Sequence, residues 1–182
     1  MRKYLCKFLL WACGWKAAEG PCPGNKAIIL GVPHTSAWDF LISFFYYYGV
    51  GGKASVMVKK EFFWGPLAPI MRWMGGVPVD RSRGATVAKQ VIDAMNNSEY
   101  MHLAIAPEGT RKLVRNWKKG FYYIAEKADV PIVLGFLDFK KKELGFGPMF
   151  YPTGNYEEDW KFMENFYRGI TAKHPEKYNL SN

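Results

Sequence analysis

Ala27-Ile28-Ile29-Leu30-Gly31-Val32-Pro33 is an unbroken apolar run, and His34-Thr35-Ser36-Ala37-Trp38-Asp39 follows it directly. A short apolar run that ends at a proline is typical of a buried strand. The aromatic and aliphatic residues 40–48 beyond it indicate a helix. A histidine between a strand and a helix lies where functional side chains collect in open α/β sheets. This stretch therefore predicts both a fold class and a candidate site.

Strand-like and helix-like segments alternate along the rest of the chain. We predict strands at residues 53–58, 77–79, 102–106 and 131–139, and an edge hairpin or strand at residues 140–151. We predict helices at residues 86–96, 121–128 and 157–170, and an interrupted helix at residues 62–74, where Pro66 and Pro69 break the pattern. The alternation predicts an α/β single domain with a central, mostly parallel or mixed sheet flanked by helices.

The composition of the chain limits the classes of molecule that it is expected to bind. The 182 residues include 49% hydrophobic side chains, enough to bury a core. There are 25 basic and 16 acidic residues, for a formal net charge of +9. A nucleic acid, a phospholipid surface or a phosphorylated metabolite would each complement that charge. No known nucleic-acid-binding module is present, so we do not expect nucleic acid as a partner.

The N-terminal residues 1–20 are predicted to form an amphipathic helix ahead of the main domain, residues 21–182. On a helical wheel the apolar and basic side chains separate, with Leu5, Phe8, Leu9 and Ala12 on one face and Lys3 and Lys7 opposite. This helix either lies on a membrane surface, with Trp11 and Trp15 at headgroup level, or caps the core of the domain. Cysteines 6, 13 and 22 form neither a disulfide framework nor a zinc-binding spacing, which favours a reducing compartment.

The spacing of His34 and Asp39 suits acid–base chemistry. Ser36 is a plausible helix N-cap, and Asp39 follows it at capping-box spacing. A carboxylate in that first turn can fix the tautomer of the His34 imidazole, which then acts as a general base toward a hydroxyl. The alternative is that Asp39 only caps the helix and His34 is an ordinary junction residue.

Two further segments place arginines after predicted strands. In Pro107-Glu108-Gly109-Thr110-Arg111, the glycine permits a sharp turn and the arginine can hold a phosphate in a bidentate manner. The alternative is a solvated basic loop. The segment from Gly75 to Arg81 places a second guanidinium at a strand end, although Asp80 could simply pair with a neighbouring arginine.

Four blocks follow one another along the chain: H-x4-D, G-x-P-V-D-R, P-E-G-T-R and Val130-Pro131-Ile132-Val133. In type and order they resemble the glycerolipid acyltransferase family, of the 1-acylglycerol-3-phosphate acyltransferase type. The resemblance spans roughly residues 28–139.

The resemblance implies a role for each matching residue. His34 would be the catalytic base and Asp39 its orienting partner. The residues that bind the acceptor would be Arg81, Glu108, Gly109, Thr110 and Arg111. The acyl-donor side would be shaped by Val130, Pro131 and Ile132. The reaction would move a fatty acyl group from acyl-CoA or acyl-carrier protein to a lysophospholipid hydroxyl, with lysophosphatidate as the leading acceptor. Another hydroxyl lipid acceptor, or a coenzyme-independent transacylase or hydrolase, remains open. No metal or redox cofactor is expected. The protein would bind peripherally to the phospholipid membrane, on its cytoplasmic face.

Overall fold

Strand β2 (Lys26–Val32) lies near the centre of the sheet in the computed structural model, which describes residues 2–18, 20, 22–73, 75–80 and 84–180. Within these residues the sheet has seven strands in the order β1-β7-β6-β2-β5-β3-β4. The other strands are β1 (Lys16–Ala17), β3 (Ala54–Lys59), β4 (Gly76–Val79), β5 (Met101–Ile105), β6 (Ile132–Asp138) and β7 (Glu143–Phe150). The β6–β7 pair is antiparallel and the other pairs are parallel, which confirms the predicted fold class.

The helices cover both faces of this sheet. They are α1 (Arg2–Ala12), α2 (Ala37–Gly49), α3 (Ala68–Trp73), α4 (Gly84–Asn96), α5 (Gly120–Ala128) and α6 (Tyr156–Tyr167). Side chains of α4, α5 and α6 pack in one core cluster with Ile28, Leu30 and Val32 of β2. Tyr47 of α2 packs with Ala27 and Ile29 from the opposite face. Because both faces of β2 are buried, its sequence is apolar throughout rather than alternating.

The predicted edge at residues 140–151 is wrong in one respect. Strand β7 lies inside the sheet because β1 pairs with its outer side, with Lys16 opposite Glu143. A two-residue strand is too short to show a periodic pattern. By contrast, β4 does lie at the edge, where its Pro78 costs no ladder hydrogen bond on the open side.

Helix α1 contacts α2 through a stripe that the helical wheel did not single out. Cys6 and Leu10 are buried there, whereas Leu5 and Phe8 of the predicted apolar face are each 57% exposed. The helix thus has two apolar faces, one against the core and one toward solvent. The predicted domain boundary near residue 20 adjoins residues 19 and 21, which lie outside the described residues. Among the helices described, none combines the length and the hydropathy needed to cross a bilayer.

Candidate active site

The candidate site is built at the carboxyl ends of two neighbouring strands. Strands β2 and β5 run parallel, with Leu30 opposite Ile105, so the loops that follow them meet. His34 lies in the first loop and Glu108 in the second, and the His34 backbone N–H donates to Glu108 Oε1 at 3.0 Å. Two segments 74 residues apart in sequence are therefore joined by a direct hydrogen bond.

Asp39 is held in place by the start of α2. Its Oδ2 accepts from the backbone N–H groups of Thr35 at 2.6 Å and Ser36 at 2.7 Å. Its Oδ1 accepts from the Ser36 hydroxyl at 2.9 Å. The bond from the Ser36 N–H, together with one from the Asp39 backbone N–H to the Ser36 side chain, forms a capping box. The same carboxylate lies 3.8 Å from His34 Nδ1. Capping and orientation of the imidazole are therefore two roles of one side chain, because the cap fixes the carboxylate beside His34.

The surroundings of His34 favour its neutral form. Burial lowers the pKa of the imidazole, the Asp39 carboxylate acts in the opposite direction, and the positive charge of Arg111 lowers the pKa again. The side chain is still 26% exposed, so a substrate can reach it. A neutral imidazole near pH 7 is able to accept a proton from a hydroxyl.

Glu108 is buried beneath the His34 loop, and the acceptor-binding role predicted for it stays a prediction. Its side chain is only 5% exposed and lines neither of the cavities described below. One carboxylate oxygen accepts from the His34 N–H, and the other has no hydrogen-bond partner among the described residues. Burial raises the pKa of Glu108 to about 7, the nearby Asp39 charge acts in the same direction, and two backbone hydrogen bonds oppose them. Glu108 therefore positions the loop that presents His34.

Replacing Glu108 by glutamine should flatten the pH dependence of stability. Above pH 4.5 the unfolded chain loses the Glu108 proton, whereas the folded chain retains it until about pH 7. Stability contributed by this group therefore falls as pH rises through that window, by about 3 kcal/mol from a shift of this size. Urea unfolding at several pH values between 4.5 and 8 measures the difference between wild type and Glu108→Gln.

Glu99→Gln is the matched control, because Glu99 is exposed. The lowered pKa values of His34 and His102 act in the opposite direction and are common to every variant compared. If wild type and Glu108→Gln lost stability in parallel, Glu108 would be ionised throughout the window.

The block from Gly109 to Arg111 is exposed and faces the site. Gly109 has a φ of +66°, which favours glycine, and its N–H donates to the Ala106 carbonyl at 3.0 Å. That N–H is therefore occupied by the turn. Arg111 is near enough to His34 to lower its pKa, and Thr110 and Arg111 line both of the cavities that meet at the site.

The larger cavity has a volume of about 930 Å³ and opens beside His34, Asp39 and Arg111. One arm runs between α2 and the sheet, over a floor of small side chains and walls of aromatic ones: Gly31, Ala104, Gly135, Phe40, Phe44 and Phe146. A second arm reaches the other face of the sheet, where α4 and α5 contribute Val87, Ala88, Phe121 and Ile124. Gly31 lies two residues after Ile29, which packs with Tyr47, so it faces α2 as well.

A buried polar pair supports the arm beneath α2, where Tyr47 lines the cavity and His102 lies behind it. The Tyr47 hydroxyl donates to Nδ1 of His102, and the His102 Nε2 donates to the Gly24 carbonyl at 3.0 Å. His102 is 1% exposed. Because both ring nitrogens of His102 have partners, Tyr47 is held rigidly in the cavity wall.

The smaller cavity is a more open cleft of about 550 Å³ on the polar side of the His34 loop. It is lined by hydroxyl and basic side chains: Thr35, Ser36, Thr110, Arg111, Lys112, His174 and Lys177. Sequence reasoning missed His174 and Lys177, because they belong to no motif block and only the chain fold brings them to the site.

Two of the predicted groups lie elsewhere. Val130, Pro131 and Ile132 are buried at the start of β6, where Ile132 pairs with Ile28. That is four residues before the level of Val32, or about 13 Å along the strand from the end that presents His34. They belong to the core there, and their role on the acyl-donor side stays a prediction. Arg81 lies outside the described residues, so its role in acceptor binding stays a prediction.

The α/β sheet places an imidazole–carboxylate pair at the mouth of an apolar cavity, an arrangement that suits acid–base chemistry on a substrate with an apolar chain. A family model described as Acyltransferase matches residues 18–133. The chain belongs to this acyltransferase family, which confirms the resemblance read from the motif blocks.

The fold has a solved counterpart. The crystal structure of the 1-acyl-sn-glycerophosphate (LPA) acyltransferase PlsC from Thermotoga maritima matches with a TM-score of 0.63 and 19% sequence identity. The match covers 94% of this chain and 80% of that one. At this identity the likeness shows a shared fold. No curated protein matches the sequence.

Proposed function

We propose that the protein transfers a fatty acyl group from an acyl thioester, acyl-CoA or acyl-carrier protein, to the hydroxyl of a lysophospholipid. Lysophosphatidate is the leading acceptor. The observation that carries this proposal is the position of the His34–Asp39 pair, at the mouth of a long apolar cavity and beside Arg111. The solved counterpart with the same fold is named for this type of acceptor.

The chemistry follows from the orientation of the His34 imidazole. Nδ1 faces Asp39, so Nε2 takes the proton from the acceptor hydroxyl while its oxygen attacks the thioester carbonyl. The tetrahedral intermediate then collapses, the C–S bond breaks, and the thiolate leaves and takes the proton from the imidazolium. Asp39 stabilises that imidazolium, and the cationic side chains of Arg111 and Lys118, which line the cavity, can stabilise the oxyanion.

The two arms of the cavity suit a reaction that brings two chains together. The arm beneath α2 would hold the acyl chain of the donor, with the thioester at His34. The arm between the sheet, α4 and α5 would hold the chain that a lysophospholipid already carries. A one-chain product, formed from glycerol 3-phosphate, would leave one arm empty.

Membrane binding on the cytoplasmic face is part of this proposal. The outward face of α1 carries Tyr4, Leu5, Phe8 and Trp11, each more than half exposed. Lys3 and Lys7 lie on the same helix, and the chain carries a net charge of +9. An apolar face flanked by basic side chains is the pattern of a helix that lies in the interface of an anionic bilayer.

The double variant Phe8→Glu, Trp11→Glu should bind anionic vesicles at least about tenfold more weakly than wild type, because two aromatic side chains no longer insert. Vesicle co-sedimentation measures the partition coefficient. Tyr123→Glu with Phe162→Glu is the matched control, since these side chains are 49% and 45% exposed on α5 and α6. Equal losses in the two double variants would show that added negative charge, and not the α1 face, determines binding.

The direct test is a panel of donors and acceptors with mass-spectrometric detection of products. Acyl-CoA and acyl-carrier protein are offered with lysophosphatidate, glycerol 3-phosphate, other lysophospholipids and monoacylglycerol. Thioester-dependent formation of a two-chain phospholipid supports the proposal. Free fatty acid as the main product would identify a hydrolase, and acyl transfer from phospholipid without a thioester would identify a transacylase.

A further inference from the structure

The smaller cleft is lined by Thr35, Ser36, Thr110, Arg111, Lys112, His174 and Lys177. Three of these side chains, Lys112, His174 and Lys177, have no part in the transfer chemistry. We propose that Lys177 and His174 extend the acceptor-phosphate site that the motif resemblance assigns to Arg111, and that they determine the preference for a phosphate-bearing acceptor. The proposal rests on the proposed function and deepens it. It assigns a role to a segment that lies beyond the residues matched by the family model.

The C-terminal segment is fixed against the active-site loop. The His174 N–H donates to the Thr35 hydroxyl at 3.3 Å, one residue from His34. Upstream, the Phe139 N–H donates to the Thr171 carbonyl at 2.9 Å. Downstream, Tyr178 packs against the main core cluster. Lys177 lies in a 3₁₀ turn, Pro175–Lys177, between these anchors, so the backbone that carries its ammonium group is ordered before any ligand binds.

The balance of charges in the cleft favours a dianion. Arg111, Lys112 and Lys177 contribute permanent positive charges, and the hydroxyls of Thr35 and Thr110 are short donors on the same wall. The acidic neighbour within the segment is Glu176, whose Oε1 lies 3.5 Å from His174 Nδ1. A guanidinium and an ammonium together provide the forked and point-charge contacts that phosphate oxygens accept.

The short distance between the cleft and His34 indicates that the bound phosphate belongs to the acceptor and not to the acyl donor. The cleft begins at Thr35 and Ser36, directly beside the base His34. In a lysophosphatidate the phosphate is only a few bonds from the hydroxyl that reacts. In acyl-CoA the whole pantetheine arm separates the thioester from the first phosphate, which would therefore lie well beyond this cleft.

Lys177→Gln tests the proposal, with Lys161→Gln as a matched control on the exposed part of α6. Loss of one ammonium–phosphate contact should raise the KM for lysophosphatidate about tenfold. The KM for monoacylglycerol, which has the same chain without phosphate, should stay unchanged, as should kcat for both acceptors. Lys161→Gln should match wild type throughout.

Donor variation separates the two sources of phosphate. A higher KM for acyl-CoA together with an unchanged KM for acyl-pantetheine, which lacks phosphate, would place the donor in the cleft and overturn the proposal. Equal losses with phosphate-bearing and phosphate-free acceptors would also overturn it, because they would reveal only a structural role.

Direct binding of inorganic phosphate keeps this test independent of turnover. Titration into wild type and Lys177→Gln, followed by NMR shifts of residues in the cleft, should show binding that is at least about tenfold weaker in the variant. If the wild type transferred no acyl group but bound phosphate in this way, the proposed function would fail and the anion site would stand. Equal phosphate affinity in the two proteins would overturn the site itself.

Discussion

Replacing His34 by alanine should lower kcat for acyl transfer about 1,000-fold, within the range expected for loss of a positioned general base. The acceptor hydroxyl has a pKa far above neutrality, so it attacks a thioester slowly unless its proton is removed during the attack. His34 is the partly exposed imidazole at the cavity mouth, and Asp39 is held beside it by three hydrogen bonds. Product formation from acyl-CoA and the preferred acceptor, measured by mass spectrometry, gives the rate.

The pH profile and chemical rescue distinguish a lost base from a disturbed fold. In wild type, kcat/KM should fall at acid pH only as the imidazole becomes protonated, below its usual pKa, because burial and Arg111 lower that pKa. The alanine variant should lack this acid limb, and added imidazole should restore part of the rate. Circular dichroism should be unchanged, since the fold-determining contact here is the His34 backbone N–H and not the ring. A fully active His34→Ala variant would refute the mechanism.

The central sheet could be predicted because its signal is local. Strand β2 is apolar on both faces, and only a strand covered by helices on both sides tolerates that pattern. Strand β1 could not be predicted, because Lys16 and Ala17 form a strand only through pairing with β7, more than 120 residues later. For a similar reason, the helical wheel could not predict which face of α1 is buried. Which apolar stripe is buried depends on where α2 lies.

The residues of the candidate site can also be divided into those that local sequence predicts and those that depend on distant contacts. His34 and Asp39 share one helix start, so their approach follows from spacing along the chain. The resemblance of its motif block assigns Glu108 to the acceptor, but the burial of this side chain and its bond to the His34 N–H depend on contacts that its own segment does not encode. No local sequence feature distinguishes Lys177 from other lysines. It acquires its proposed role because the bond from His174 to Thr35 anchors its turn at the site.

The position of Gly31 offers a way to close the arm of the cavity beneath α2 without breaking the sheet. A Cβ built on Gly31 has the Ile105 carbonyl oxygen as its nearest neighbour, at 4.0 Å, so a side chain can enter the cavity freely. Its cross-strand neighbour Gly135 is not equivalent, because a Cβ there would lie 2.6 Å from the Leu30 carbonyl oxygen. Gly31 is therefore the better position for a test of the acyl site.

Gly31→Leu should reduce kcat/KM for a palmitoyl donor about 200-fold, because the four carbons of leucine displace about four methylenes of the chain at about 0.8 kcal/mol each. Acetyl and butanoyl donors should react within about threefold of wild type, since short chains do not need the displaced space. Gly31→Ala is the matched control and should change the palmitoyl rate little. Equal losses with long and short donors would mean that leucine disturbs His34, three residues away. An unchanged chain-length preference would mean that the donor chain does not lie beneath α2, and would leave the arm between α4, α5 and the sheet as its site.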